Sequence, residues 1–254
     1  LGGFAGAGVL LVLLKILSLP VNQSIWGLLI VLFIAMVVVS QFMLTFGSDP
    51  NAKVTKKSKS PLSFHPIALI FGLLSFVSYL VEGAVGDWSA LYLFEDKGIL
   101  IEEAVMGVML FNGTMCIGRL LGNRLGKHLT SKQVVVGGYL LGSIAMGLIV
   151  FLPGHASMYT YLLLGISLAM IVPNLFSAMG EQNVIHMTQA VATSTMLGYM
   201  GILMGPALIG FIAHGTSLTV AFIVLTILLV VSAGIGKYAY HLMSKDCGLS
   251  EEQI

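Results

Sequence analysis

Two carboxylates, Glu82 and Asp87, stand in the segment VEGAVGDWSALYLFEDKG (residues 81–98), inside a run that is otherwise apolar from Pro66 to Phe94. A charged side chain at the centre of a bilayer costs about 2.5–3.5 kcal/mol on insertion scales, so it is expected to face a cavity or a partner. The chemistry open to an acid in such a place is proton uptake and release. Ser75, Ser78, Tyr79 and Glu82 recur at spacings of three and four, and Gly86 continues the row. That spacing makes one polar stripe on an otherwise apolar helix, and the stripe should line water or a substrate. With Pro66 near one surface, Glu82 lies about 24 Å in, past the midplane, and Asp87 about 31 Å in, at the far rim. Glu82 and Asp87 are therefore the proton-coupling candidates, although for Asp87 the simpler reading is a rim residue that caps a helix break beside Gly86.

The next apolar run returns towards Gly126. Counted from that end, Asn112 lies about 21 Å deep, level with Glu82, and Arg119 only about 10 Å deep, so no direct Glu82–Arg119 ion pair is expected. An acid without a cation at its depth is free to take up a proton, as a proton-coupled carrier requires. Asn174, after Pro173, and Tyr199, in a glycine-rich stretch, join Ser78, Tyr79 and Asn112 as candidate cavity lining. For Asn174 and Tyr199 a helix-to-helix hydrogen bond is the plainer role. Gly83 and Gly86 flank the acids, and GILMG (201–205) is a small-xxx-small pattern beside Pro206. Close helix approach accounts for most of these glycines, and a Gly/Pro interruption lets a helix bend. Trp88 and Tyr92 read as aromatics at the membrane interface.

The elements that must carry these residues follow from composition. The 254-residue chain is 57% hydrophobic and 9% charged, with a mean hydropathy of +0.99. A soluble domain carries about 25% charged residues, so this balance belongs to lipid. A bilayer core takes roughly 20 apolar residues of helix, because lipid offers an open backbone no hydrogen-bond partner. Eight runs meet that demand: 1–18, 25–46, 66–94, 104–124, 133–152, 157–179, 187–213 and 217–242. The expected fold is an all-α membrane protein of about eight transmembrane helices. Cys116 and Cys247 fall in a span and in a polar tail, so no disulfide framework is implied. No basic stretch precedes the first apolar run, which does not begin with Met, so a secretory signal is not expected and the chain is expected to start within a larger protein.

Charge sets the expected orientation. Lys53, Lys56, Lys57 and Lys59 share one loop; Arg119, Arg124, Lys127 and Lys132 surround another; Lys237 and Lys245 flank the tail. With alternating spans these regions fall on one side and only Lys15 and Lys97 on the other, which marks a cytoplasmic C-terminus. The polar linker 47–65 is the natural boundary between two parts. Net charge is +1, which by itself says nothing about nucleic acid, and with no basic stripe no nucleic-acid partner is expected. The six histidines form no metal-binding spacing, and no phosphate-cradling loop, nucleophile–base pair or cofactor motif is present; no enzyme chemistry, cofactor or metal is expected.

LGGFAGAGVLL opens the chain and LGYMGILMGPALIG opens the span at Leu197. Setting Leu1-Gly2 on Leu197-Gly198 lays 25–46 over 217–242, so a glycine-rich helix followed by a glycine-poor one occurs twice. If 1–46 ends one unit and 66–242 is a whole unit, the first has lost roughly four helices, and two six-helix halves related by an axis along the membrane normal form one large transporter class.

On EGAVGDWSALYL (82–93), GRLLGNRLGKHLTSKQVV (118–135) and LGYMGILMGPALIGFIAHG (197–215) the sequence resembles the major facilitator superfamily, and more closely is similar to bacterial inner-membrane members near the fucose-permease-like sugar porters. The resemblance covers essentially the whole chain, taken as helices five to twelve of twelve. It implies a helical bundle with an incomplete N-terminal half: 1–46 the last two helices of that half, 47–65 a cytoplasmic linker, 66–242 a complete six-helix C-terminal half and 243–254 a cytoplasmic tail. In the family's basic cytoplasmic motif, Asn123 stands at the first Gly, Leu125 at Leu, Gly126 at Ala, Lys127 at Asp and His128 at Arg. The acidic gate residue is thus absent. Arg119, Arg124 and Lys127 are the gate-motif residues, with Arg124 and Lys127 more simply read as positive-inside anchors.

The function implied is secondary active transport of a small polar solute, a sugar or related compound, by alternating access. Proton symport is favoured over drug-type antiport, in a multi-pass protein of the bacterial inner membrane. A non-transporting sensor or scaffold of the same fold is the rival. The partners expected are the bilayer, a small-molecule substrate, protons, and the missing helices or a second chain to complete the cavity.

Overall fold

A computed structural model describes residues 21–43, 65–125, 129–181 and 187–247, all of them helix apart from short turns. The first apolar run, residues 47–64 of the linker and Lys127 lie outside the described residues. By its internal contacts the chain divides into two units, 1–59 and 60–254. The first contributes α1 (Val21–Met43), which carries an apolar stretch Leu29–Gln41.

The second unit contains α2 (Pro66–Glu95), α3 (Ile101–Leu125), α4 (Ser131–Phe151), α5 (Gly154–Ala169), α6 (Ile171–Glu181), α7 (Met187–Gly215) and α8 (Leu218–Cys247). Local chemistry sets the helix starts. Pro66 sits at the first turn of α2, where its missing N–H costs nothing, and His65 Nδ1 accepts from the Ile67 N–H. Thr130 and Gln133 form a reciprocal capping box on α4. The turns into α3 and α5 use Gly98 and Gly154 at φ of +67° and +49°, a left-handed backbone that glycine adopts without steric cost.

Among the described residues, six stretches are long and apolar enough to cross a membrane: Pro66–Glu95, Ile101–Gly122, Ser131–Phe151, Gly154–Gly180, Thr188–Gly215 and Leu218–Lys245. The expected helix over 157–179 is thus one span but two helices, α5 and α6, broken at Met170. Pro173 lacks the N–H that would continue the ladder, and both the backbone N–H and the side-chain Nδ2 of Asn174 turn back to the Met170 carbonyl, at 3.2 and 2.8 Å.

Consecutive spans alternate in direction, which puts residues 96–100, 152–154 and 216–217 at one end of the bundle. The helix contacts have an internal symmetry. Matching α2 to α5–α6, α3 to α7 and α4 to α8 carries the α2–α7 contact onto that of α5–α6 with α3, and returns α4–α8 to itself. Elements three spans apart run in opposite directions, so this is an inverted-topology repeat. The core between the helices is aliphatic and aromatic, built around Phe71, Tyr92, Tyr139, Tyr161 and Phe222.

Candidate functional site

The helix that carries Glu82 is held against α7 by glycines. Gly201 and Gly205 lie on the Phe76 and Leu80 carbonyls of α2, Gly198 lies on the Tyr79 ring, and Gly83 of α2 lies on the Ile202 carbonyl. In an uninterrupted helix that Ile202 carbonyl would accept from residue 206, which is proline and has no N–H to give. Trp88 Nε1 in turn donates to the Pro206 carbonyl at 2.9 Å. The two helices therefore meet backbone to backbone, and the residues along the edge of this seam have fixed positions.

Four side chains gather at that edge. The rings of Tyr79 (α2) and Tyr199 (α7) stack in parallel, with centroids 6.2 Å apart and planes 4° off. One turn along α2, Glu82 meets Arg119 of α3, whose Nη2 stands 3.2 Å from Oε2 and 3.5 Å from Oε1. Tyr79 is within electrostatic reach of Glu82, Arg119 and Tyr199. The acid is the more enclosed partner: the Glu82 side chain is 23% exposed and that of Arg119 43%. A guanidinium has five N–H donors, and the described contacts with Glu82 use only Nη2. The cluster thus offers a partly enclosed acid, a cation with donors to spare, and an exposed aromatic face.

The Glu82–Arg119 pair corrects the sequence expectation that the two lie too far apart in depth. That count started from the 126 end and took both helices as flush there. α2 has 30 residues and α3 has 25, so those ends are not level. Counted from the 96–100 turn that joins them, where the Ile99 N–H bonds to the Leu93 carbonyl, Glu82 is about 20 Å and Arg119 about 27 Å down. A long, flexible arginine side chain closes that gap.

The other sequence candidates lie outside this cluster. Asp87 is exposed on α2, five residues beyond Glu82. Ser78 is buried and packs towards the Tyr139 hydroxyl, which donates to the Leu74 carbonyl at 2.6 Å; Ser75 is buried as well and donates to the Phe71 carbonyl. The polar stripe is therefore split: Tyr79 and Glu82 open outward, while the two serines face packed helix. Asn112 is exposed on α3 with its amide on the Val108 carbonyl one turn back. Asn174 serves the helix break and not a second helix. Tyr92 is fully buried, stacked on Phe222 at 4.3 Å, so it is a core residue and not an interfacial one. Arg124 lies on the last turn of α3. Among the described residues no group of three His, Cys, Asp or Glu side chains could hold a metal.

The fold is that of a major facilitator transporter. A crystal structure of such a transporter, FucP, in its outward conformation matches 85% of this chain and 55% of its own, with a TM-score of 0.67 at 16% identity. At the sequence level, the chain is 35% identical over 237 residues to an uncharacterised MFS-type transporter of Yersinia pestis, covering 91% of this chain and 59% of that protein. It is 31% identical over 151 residues to the membrane protein MosC of Rhizobium meliloti, covering 59% of this chain and 37% of MosC. A transporter of Sinorhizobium fredii, y4wD, is 27% identical over 159 residues, 61% of this chain and 41% of its own. No family model matches the chain. The chain is thus a homologue of MFS-type transporters, and it spans 59% or less of the length of these relatives.

Proposed function

We propose that this chain is the larger part of a secondary active transporter that moves a small polar solute by alternating access, with proton binding at Glu82 coupled to the rocking of two halves. In this reading residues 66–242 form the C-terminal half and α1 belongs to an N-terminal half, completed by further helices or by a second chain. The basic ends near 119–132 and 237–245 face the cytoplasm, as the positive-inside rule requires, and the 96–100 end faces outward. The setting in this reading is a bacterial inner membrane, in keeping with the bacterial sources of the relatives.

The observation that carries the proposal is the Glu82–Arg119 pair at the open edge of the α2–α7 seam, beside the Tyr79–Tyr199 stack. A proton and Arg119 compete for the same carboxylate. When Arg119 turns its donors to a substrate, Glu82 loses its counter-charge and takes up a proton; when the substrate leaves, the pair re-forms and the proton is released. Proton and solute therefore move together, as symport. The exposed Tyr199 ring and the spare guanidinium donors suit a hydroxylated solute, in keeping with the sugar-porter resemblance.

The test is uptake into proteoliposomes under an imposed pH gradient, with the chain joined to an upstream half and with Glu82→Gln as the comparison. Glu82→Gln is expected to abolish gradient-driven accumulation while leaving exchange of solute across the membrane. Accumulation that keeps its proton dependence in Glu82→Gln removes Glu82 from the mechanism.

A further inference from the structure

The ion pair at the edge of the α2–α7 seam restricts the charge of the solute that can open it, a restriction that rests on the proton role given to Glu82 above. Among the described contacts Arg119 holds Glu82 through Nη2 alone, at 3.2 and 3.5 Å, so the rest of its planar donor fork stays open. An acceptor that draws the guanidinium away has to match a carboxylate. Hydrogen bonds to an ionised acceptor are roughly twice as strong as those between neutral groups, and a carboxylate takes two parallel N–H bonds from a guanidinium. A neutral hydroxyl does neither. A neutral solute therefore leaves the pair closed, whereas a solute carboxylate exchanges like for like.

The sign of the solute charge follows from an asymmetry within the pair. One proton neutralises a carboxylate, but a guanidinium does not shed its proton in a protein. When an anion occupies Arg119, Glu82 takes a proton from water at the open edge and becomes a neutral acid, and the site keeps its net charge of zero. A cation on Glu82 would find no equivalent release at Arg119 and would set two positive charges side by side. Exposure points the same way: the Arg119 side chain is 43% exposed and that of Glu82 23%, so an incoming ligand meets the cation first. The titratable groups recorded beside the pair are Tyr79 on α2 and Tyr199 on α7, both uncharged near neutral pH.

The exposed face continues along α3. Asn112 precedes Arg119 by two helical turns, so the two share a side of the helix about 10 Å apart, and both are exposed. The Asn112 Nδ2 donates to the Val108 carbonyl at 3.0 Å, which leaves the Oδ1 lone pairs for a hydroxyl donor. On α2, Gly86 stands one turn from Glu82, and a Cβ placed there would have no atom within 4 Å. No side chain fills the space beside the pair on that helix, and a short hydroxylated chain can lie there. We propose that the substrate of this site is a small hydroxylated carboxylate, its carboxylate on Arg119 and its hydroxyls directed towards Asn112, and not a neutral polyol.

Isothermal titration of the whole chain in detergent tests this with matched pairs: glycerate against glycerol, threonate against threitol, and gluconate against sorbitol. Each pair differs only in a carboxylate for a hydroxymethyl group. At least one acid is expected to bind about ten-fold or more tightly than its neutral partner, and Arg119→Gln to abolish that preference. Titration in two buffers of unequal protonation heat counts the protons taken up, expected at about one per acid bound in the unaltered chain and about none in Glu82→Gln. Acids that bind no more tightly than their neutral partners, or not at all, overturn the proposal, as does a preference that survives Arg119→Gln; the uptake test of Glu82 stands apart from all three results. Preferred binding of an acid without proton uptake keeps the substrate class and removes the proton role of Glu82.

Discussion

The contact of α2 with α7 and that of α5–α6 with α3 occupy equivalent places in the inverted repeat, yet they are built differently. Along α2–α7 three successive glycines, Gly83, Gly201 and Gly205, each lie on a carbonyl of the facing helix. Backbone cannot swing aside, so the pair behaves as one rigid element. In the α3–α5 contact Gly165 presses on the Phe111 carbonyl; nearer the break, Gly118 meets first the Ala169 and Ile166 side chains, with the Ile166 carbonyl farther off, and Gly122 meets the thioether end of Met170. A methionine has three rotatable bonds and adapts its shape. One contact is thus a fixed seam and its counterpart a deformable one, and Arg119 lies on α3 between Gly118 and Gly122. The difference teaches where packing can give: Glu82 rides on the rigid pair, and its partner Arg119 on the helix that packs against the break at Met170.

The substitution that should break this contrast most strongly is Gly201→Val. It forces a branched side chain into the Phe76 carbonyl and should cost at least the about 1–3 kcal/mol of ordinary overpacking, read as a large fall in melting temperature or in yield from the membrane. Gly122→Ala should cost less than about 1 kcal/mol, because Met170 can move. Equal losses from the two would erase the distinction.

Arg119→Ala comes next, since it leaves Glu82 half enclosed and unpaired. Its cost should lie between the about 0–1 kcal/mol of an exposed pair and the about 3–5 kcal/mol of breaking a buried one. Uptake assayed across pH should also lose the response that depends on re-forming the pair. Tyr199→Ala removes the stack on Tyr79, worth about 0.5–1.5 kcal/mol, and Tyr199→Phe should restore it, checked by the same melts and by solute affinity. The smallest effect belongs to Asn174→Ala, at or below about 0.5 kcal/mol, because the backbone N–H of residue 174 still reaches the Met170 carbonyl.

Much of this was legible in the chain itself. The runs from 66 to 242 showed the spans because a helix in lipid has to be apolar for its full length, and no tertiary contact can rescue one that is not. The Gly201-x-x-x-Gly205 spacing marked a close helix approach for the same kind of reason, since i and i+4 share a face. The candidate site was only half legible. Glu82 and Tyr79 stand out as polar groups in an apolar run, but Ser78 has the same signature and is buried in the core. Spacing alone gives a face, and the helices packed on that face decide whether it is open or closed.

What the sequence determined by itself was the solvent, the element type, the close helix approach at Gly201 and Gly205, and the presence of an acid inside an apolar run. The tertiary structure alone decided which groups meet. The Glu82–Arg119 pair depends on how far α2 and α3 slide past each other about their shared turn, and the hydrogen bond from the Thr219 hydroxyl to Asp96 joins residues 123 positions apart. Such offsets arise from side-chain packing between helices, and rise per residue along one helix carries no information about them.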